Sequence, residues 1–190
     1  MFLLNGQRLP EGAPFVHDGV QYPANWLNIA SAEAKAAIGI IEVQEQPRPD
    51  DTLYWVTDNG DGTFSAEPKD IDTLRAMWRD KLKARRDIAQ FGGMSLNGLT
   101  LQTDIDSQTK YVGAAVAAML DGAYTVQWKT GDGTFVELSA GQIIGISQAV
   151  REHVQHCYDN EAVLAAEIES AGDLNSLQSI DIEAGWPTYA

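Results

Sequence analysis

His153, His156 and Cys157 are the residues of this chain whose types and spacing come closest to chemistry. On a helix, positions i, i+3 and i+4 are neighbours, so two imidazoles and a thiolate there can share a Zn²⁺ ion. A fourth ligand is missing from the chain, because Cys157 is the only cysteine and His17 the only other histidine. Such a site needs a symmetric subunit interface to complete it. His153, one helical turn from Cys157, also places a base beside a nucleophile, but no Gly-x-Ser-x-Gly elbow or similar strained turn accompanies the pair. The expectation is that His153 and Cys157 pack in a helical core, that the protein is not an enzyme, and that it uses neither a cofactor nor a resident metal.

Three other features invite a functional reading. Gly60-Asp-Gly-Thr-Phe64 recurs as Gly131-Asp-Gly-Thr-Phe135, but neither copy has the alternating oxygen ligands and distant Glu of a Ca²⁺ loop, so both are read as hairpin turns. Acidic residues are plentiful, yet no spacing singles out a carboxylate pair for glycoside hydrolysis. Trp26, Trp55, Trp128 and Trp186, with Tyr54 and Tyr124, are candidates for a protein-binding or sugar-binding platform. The competing expectation is that these rings plug hairpins onto helices.

The elements that must position these residues belong to an acidic chain of 190 residues with a formal net charge of −14. That length and apolar content suit one or two small domains with a core. The charge repels phosphate backbones and anionic lipid, so neither nucleic acid nor bare membrane is an expected partner. A single cysteine excludes an internal disulfide framework. Met1-Phe-Leu-Leu is too short for a signal peptide, and the longest apolar run, Val112 to Leu120, is far below the roughly 20 residues of a membrane span. Synthesis in a cytosol without an export signal of the chain's own is expected. Charge is also segregated: Lys69, Arg75, Arg79, Lys81, Lys83, Arg85 and Arg86 are seven of the thirteen basic residues, whereas after Gly131 only Arg151 stands against ten carboxylates. The two faces are either separately solvated or meet each other, within a protomer or between protomers.

Strand signals dominate the first third. Phe2-Leu-Leu runs into an Asn5-Gly6 turn, and Phe15 to Tyr22 reads as a strand pair around Asp18-Gly19. Ser31 caps a helix over Ala32 to Ala37, Gly39 ends it, and Ile40 to Val43 is a strand. Pro47-Arg-Pro49 is a stiff connector. Leu53 to Val56 and Thr63 to Ala66 form a hairpin around a Gly-rich turn. After Pro68 the period changes: Ile71, Leu74, Trp78, Leu82, Arg85 and Ile88 fall at helical spacing from an Asp70 cap to about Gln90. An Asn97-Gly98 hairpin follows, then a helix opened by Asp104 or Asp106, with Tyr111, Val112, Ala115, Val116 and Met119 on its faces. A third hairpin turns at Gly131-Asp-Gly133. Ser139 with Gln142 forms a capping box for a long helix to Gly172, and Asp173 caps a last short one. The fold class is α+β, with a β-rich N-terminal module over 1–68 and a helical domain with short hairpins over 69–190.

From about Asp70 to Pro187 the order of helix, Asn-Gly hairpin, Ala-rich helix, Trp128-Lys-Thr leading to Thr134-Phe-Val-Glu-Leu-Ser139, His153 and Cys157 on a long helix, and Gly185-Trp-Pro resembles DUF4376. That domain of unknown function is common in bacteriophage and prophage tail-fibre gene clusters. The first part, with Gln21 to Leu27, Gly39 to Val43 and Tyr54 to Val56, is similar to modules found beside tail-fibre proteins. The resemblance implies a structural phage tail protein of the tip, baseplate or fibre, resident in the virion, homo-oligomeric and docking other tail proteins. A tail-fibre assembly chaperone absent from the mature particle is the alternative, and a metal-dependent binder or enzyme using His153, His156 and Cys157 is a third reading. Such families have no established catalytic residues to carry over.

Overall fold

Asn5 and Gly6 both stand at positive φ, 51° and 77°, as do Asp18 and Gly19 at 48° and 76°. A two-residue type I′ turn demands that backbone, and glycine, asparagine and aspartate adopt it most readily. The first turn closes β1 (Phe2–Leu4) on β2 (Gln7–Leu9), and the second closes β3 (Phe15–His17) on β4 (Val20–Tyr22). The computed structural model describes residues 1–187, so the last three residues of the expected second domain, 188–190, lie outside the described residues. It divides into two units, Met1–Asp70 and Ile71–Ala190. The architecture is α+β, β-rich at the N-terminus and then helical with short antiparallel hairpins.

In the first unit the chain continues through α1 (Trp26–Ile29) and α2 (Ala32–Ala37) to β5 (Ile40–Glu42). Ser31 Oγ accepts from the Ala34 amide at 3.2 Å, as the sequence leads one to expect of a cap. β5 returns to pair antiparallel with β1, Leu4 opposite Ile40, so β1 lies in the middle of a three-stranded sheet ordered β2-β1-β5. Phe2, Leu4, Leu27 and Ile40 form the buried core, with Phe15 and Trp26 packed against it. The pairing of β1 with β5, some forty residues apart in sequence, and the single-turn helix α1 are not visible from local signals. A separate hairpin, β6 (Tyr54–Asp58) with β7 (Phe64–Pro68), completes this unit.

The second unit begins with α3 (Ile71–Phe91), the Asn97-Gly98 hairpin of β8 (Met94–Leu96) and β9 (Leu99–Leu101), and α4 (Ile105–Leu120). Asp104, rather than Asp106, opens α4, its carboxylate accepting from the Ser107 amide at 3.0 Å and hydroxyl at 2.6 Å. β10 (Thr125–Lys129) and β11 (Phe135–Ser139) form the third hairpin, which runs directly into α5 (Ala140–Ser170). At that junction Gln142 Oε1 accepts from the Ser139 amide at 2.9 Å. The unit ends with α6 (Leu174–Gln178), capped by Asp173.

The 31-residue α5 is the spine, and both α3 and α4 pack along it. Its first half meets Leu101, Tyr111, Ala118 and Leu138 through Ile143, Ile146 and Val150. Its second half presents His153, Cys157, Leu164 and Ile168 as buried positions, while α3 buries Leu74, Trp78, Leu82 and Ala89. Fully burying a Leu or Ile contributes about 1.5–3 kcal/mol, so these stripes, with the cluster around Tyr111, stabilise this unit substantially. Ile88, expected in the buried stripe of α3, is exposed, and Ala89 is buried in its place. The two four-residue steps from Leu74 to Leu82 carry the stripe about 80° around the helix, which turns Ile88 out and Ala89 in. The hairpins are locked to one another as well: the Gly131 amide donates to Thr100 O at 2.7 Å, and a Cβ at Gly131 would lie 2.9 Å from Thr100 Cγ2.

Candidate functional site

The helical period separates the three residues that sequence spacing grouped together. His153 and Cys157, four apart, both face inward on α5 and are buried, Cys157 completely. His156 is exposed, because its position lies about 100° around the helix from Cys157. His153 Nε2 lies 3.0 Å from Ala89 O. A carbonyl oxygen can only accept, so this nitrogen carries the proton in that contact. Burial pushes the Cys157 thiol up, and the charges of Arg85 and Arg86 draw it only partly back. It is therefore held as a protonated thiol, the opposite of an activated nucleophile. Among the described residues no group of three or more His, Cys, Asp or Glu is placed to hold a metal ion.

Around this seam the basic and acidic segments meet within the protomer. Arg86, whose side chain is 11% exposed, contacts Glu161 at 3.1 Å and lies over the Tyr158 ring with its guanidinium carbon 4.8 Å from the centroid. Arg85 donates to Glu183, Arg79 to Glu169, and Arg75 to Ala171 O. Most of the arginines of α3 are thus committed to the C-terminal acidic segment, a geometry that fixed forks suit and flexible ammonium groups do not. Lys81 sits 4.3 Å from the centroid of Trp78.

The two Gly-Asp-Gly-Thr-Phe turns fold their exposed aspartates back onto their own threonines. Asp61 accepts from the Thr63 amide at 2.9 Å and hydroxyl at 2.6 Å, and Asp132 accepts from Thr130 Oγ1 and from the Thr134 amide and hydroxyl. The Thr63 hydroxyl, then its amide, hold the Asp61 carboxyl below the usual carboxylate range, and the Thr130 hydroxyl, then the Thr134 amide and hydroxyl, do the same for Asp132. The repeat is a self-satisfied turn used twice. A groove of about 510 Å³ between the β8-β9 hairpin and the start of α5 is lined by Leu96, Leu99, Leu138, Gly141, Gly145 and Ala149, with Asn97 and Gln142 as its polar groups. It contains nothing that titrates.

The tryptophans divide by environment. Trp128 is half-buried and stacks on Tyr111 at 4.6 Å between centroids. Trp26 sets its edge against Tyr22 at 4.8 Å. Trp186 is buried, donating from Nε1 to Ile182 O at 2.9 Å with Arg85 over its ring. Gly185 makes that ending possible: its φ is +80°, and any Cβ there would run into the Asn160 carboxamide. Of the four candidate rings only Trp55 faces solvent, 64% exposed on the β6-β7 hairpin, with Lys69 Nζ 5.0 Å from its centroid.

Sequence spacing did not single out the outer face of α4, where Ile105, Val112, Val116, Met119 and Leu120 all stand exposed. A signal was present: Tyr111 to Leu120, the last ten residues of α4, contains no charged side chain, whereas a surface helix ordinarily sets charged or polar residues on its outer face.

No helix among the described residues is long and apolar enough to cross a membrane. No curated protein and no solved structure matches the chain. The family described as a domain of unknown function (DUF4376) matches residues 73–184. That span lies wholly in the second unit, from the first turn of α3 to the residue before Gly185, and leaves the Gly185-Trp186-Pro187 ending just outside it. It covers more than half of the sequence, and the chain belongs to the DUF4376 family.

Proposed function

We propose that this chain is a non-enzymatic structural protein of a bacteriophage tail, a docking element of the tip, baseplate or fibre made in the host cytoplasm and carried in the virion. The DUF4376 match supports this reading, because the resemblance to that family implies a place among tail-fibre gene clusters. The burial of His153 and Cys157 supports a binding role over a catalytic one. Within the first unit, Trp55 with Lys69 beside it is the ring best placed to meet another tail protein. The second unit docks on a different partner, so that the chain links two components.

Mass spectrometry of gradient-purified particles tests this directly. Presence at a few copies per particle, in constant ratio to the major tail proteins, is the expected result. Absence from particles despite expression in infected cells makes the chain a tail-fibre assembly chaperone instead, and overturns the structural assignment.

A further inference from the structure

The exposed face of α4 has a regular composition. Ile105, Thr109, Val112, Val116 and Met119 succeed one another at steps of four, three, four and three, the repeat of a coiled-coil seam. Ile105 is 68% exposed, Val112 60%, Val116 51%, Met119 75% and the flanking Leu120 85%. Thr109, the one polar member, donates its hydroxyl to Ile105 O at 3.0 Å, so it brings no unsatisfied group to the seam. The opposite face of α4 is the one that packs inward, burying Ser107, Tyr111 and Ala118.

Gly113 is an independent sign. A glycine inside a helix is destabilising, and here no atom lies within 4 Å of where a Cβ would stand, so nothing within the protomer requires its absence. Gly113 flanks Val112 on the seam. A missing side chain at that place allows a second helix axis to come close.

From this we infer that the α4 face is the contact between two copies of this chain, seam on seam across a two-fold axis. The choice of occupant rests on charge and area. In a protein of net charge −14, α4 carries only Asp106 and Lys110, of opposite sign, and Tyr111 to Leu120 has none. The seam itself therefore adds little repulsion between like-charged protomers, and the charges nearest it, Arg151 beside Val112 and Asp104 and Asp106 beside Ile105, stand at its margin. A two-fold contact requires a self-complementary patch, which a heptad seam supplies. Five side chains at these exposures amount to roughly 600 Å² per copy, the low end for a specific pairing, so a weak dimer with a dissociation constant of about micromolar is expected. This proposal stands apart from the phage assignment and is tested without it.

The experiment is sedimentation equilibrium on the full chain over a wide concentration range. Wild type should pass from monomer to dimer. Val112→Glu should be monomeric throughout, with the dimer weakened at least 100-fold and an unchanged circular dichroism spectrum. Gly113→Leu supplies the second arm: the helix gains propensity, so melting of the dilute monomer should stay level or rise while the dimer is lost. A wild type that is monomeric at every concentration overturns the inference. So does a dimer that survives both substitutions, which would place the contact on another face.

Discussion

The α3-α5 seam and the outer face of α4 belong to one unit yet invert the usual expectation of where chemistry lies. The seam holds the histidine, the cysteine and most of the arginines, and nearly all of them are buried or paired: His153 with Ala89, Arg86 with Glu161, Arg85 with Glu183. The α4 face has only apolar side chains and a satisfied threonine, and it is open to solvent. In this unit, then, His153 and Cys157 lie within the packing, while the apolar row of α4 faces solvent. Buried polar groups are kept only where a partner satisfies them, whereas an exposed apolar row has no use inside the protomer.

The sharpest way to break this comparison is to compare the tryptophans. Trp186→Ala removes a buried ring together with its bond to Ile182 and the Arg85 contact, and should lower stability by about 3 kcal/mol in urea titration. A loss below roughly 1 kcal/mol would mean that the C-terminal segment adds little to the seam.

Arg86→Ala comes next, at about 2 kcal/mol. Its side chain is 11% exposed and that of Glu161 23%, so the partner is left partly buried and unpaired, though some water reaches it. If Arg86→Ala and Glu161→Ala prove additive in a double-mutant cycle, the pair does not couple the two helices.

Asp104→Ala should lose about 1 kcal/mol by removing the α4 cap. The Ser107 hydroxyl, then its amide, hold the Asp104 carboxyl below the usual carboxylate range. With the folded value below the unfolded one, the stabilisation is complete above about pH 4 and is lost as pH falls through the folded value. Melting temperatures of wild type and variant should accordingly differ at pH 7 and converge on acidification. A gap that persists at the acid end would assign the effect to packing.

Trp55→Ala should change stability by less than about 0.5 kcal/mol, since its ring is in solvent. The same variant should bind particles or isolated tail components more weakly than wild type in co-sedimentation. Undiminished binding would remove Trp55 from the docking surface.

How far these features were legible depended on the range over which each is decided. The Asn5-Gly6, Asp18-Gly19 and Asn97-Gly98 turns, the Ser31 and Asp104 caps and the Ser139-Gln142 junction are governed by residues within four positions of one another, and all are found where their chemistry places them. The β1-β5 pairing was not legible, because three-residue strands carry no address for a partner forty residues away. Ile88 and Ala89 exchanged roles for a related reason: one residue of drift in a stripe is set by the helix opposite, not by the helix itself. His153, His156 and Cys157 were correctly placed on one helix, but which of them face α3 depends on the angle at which two helices meet.

By itself, then, the sequence determined the α+β class, the hairpin turns and caps, and a DUF4376 signature running through the second unit. Those are local or cumulative properties, encoded in backbone preferences and in the order of short motifs. Only the tertiary structure decided that the basic segment of α3 meets the acidic C-terminal residues within one protomer, that Cys157 is sealed, and that α4 keeps an apolar seam in water. The physical reason is that burial is a property of pairs of elements. A side chain is hidden, paired or left exposed by what packs against it, and that partner lies far away in sequence.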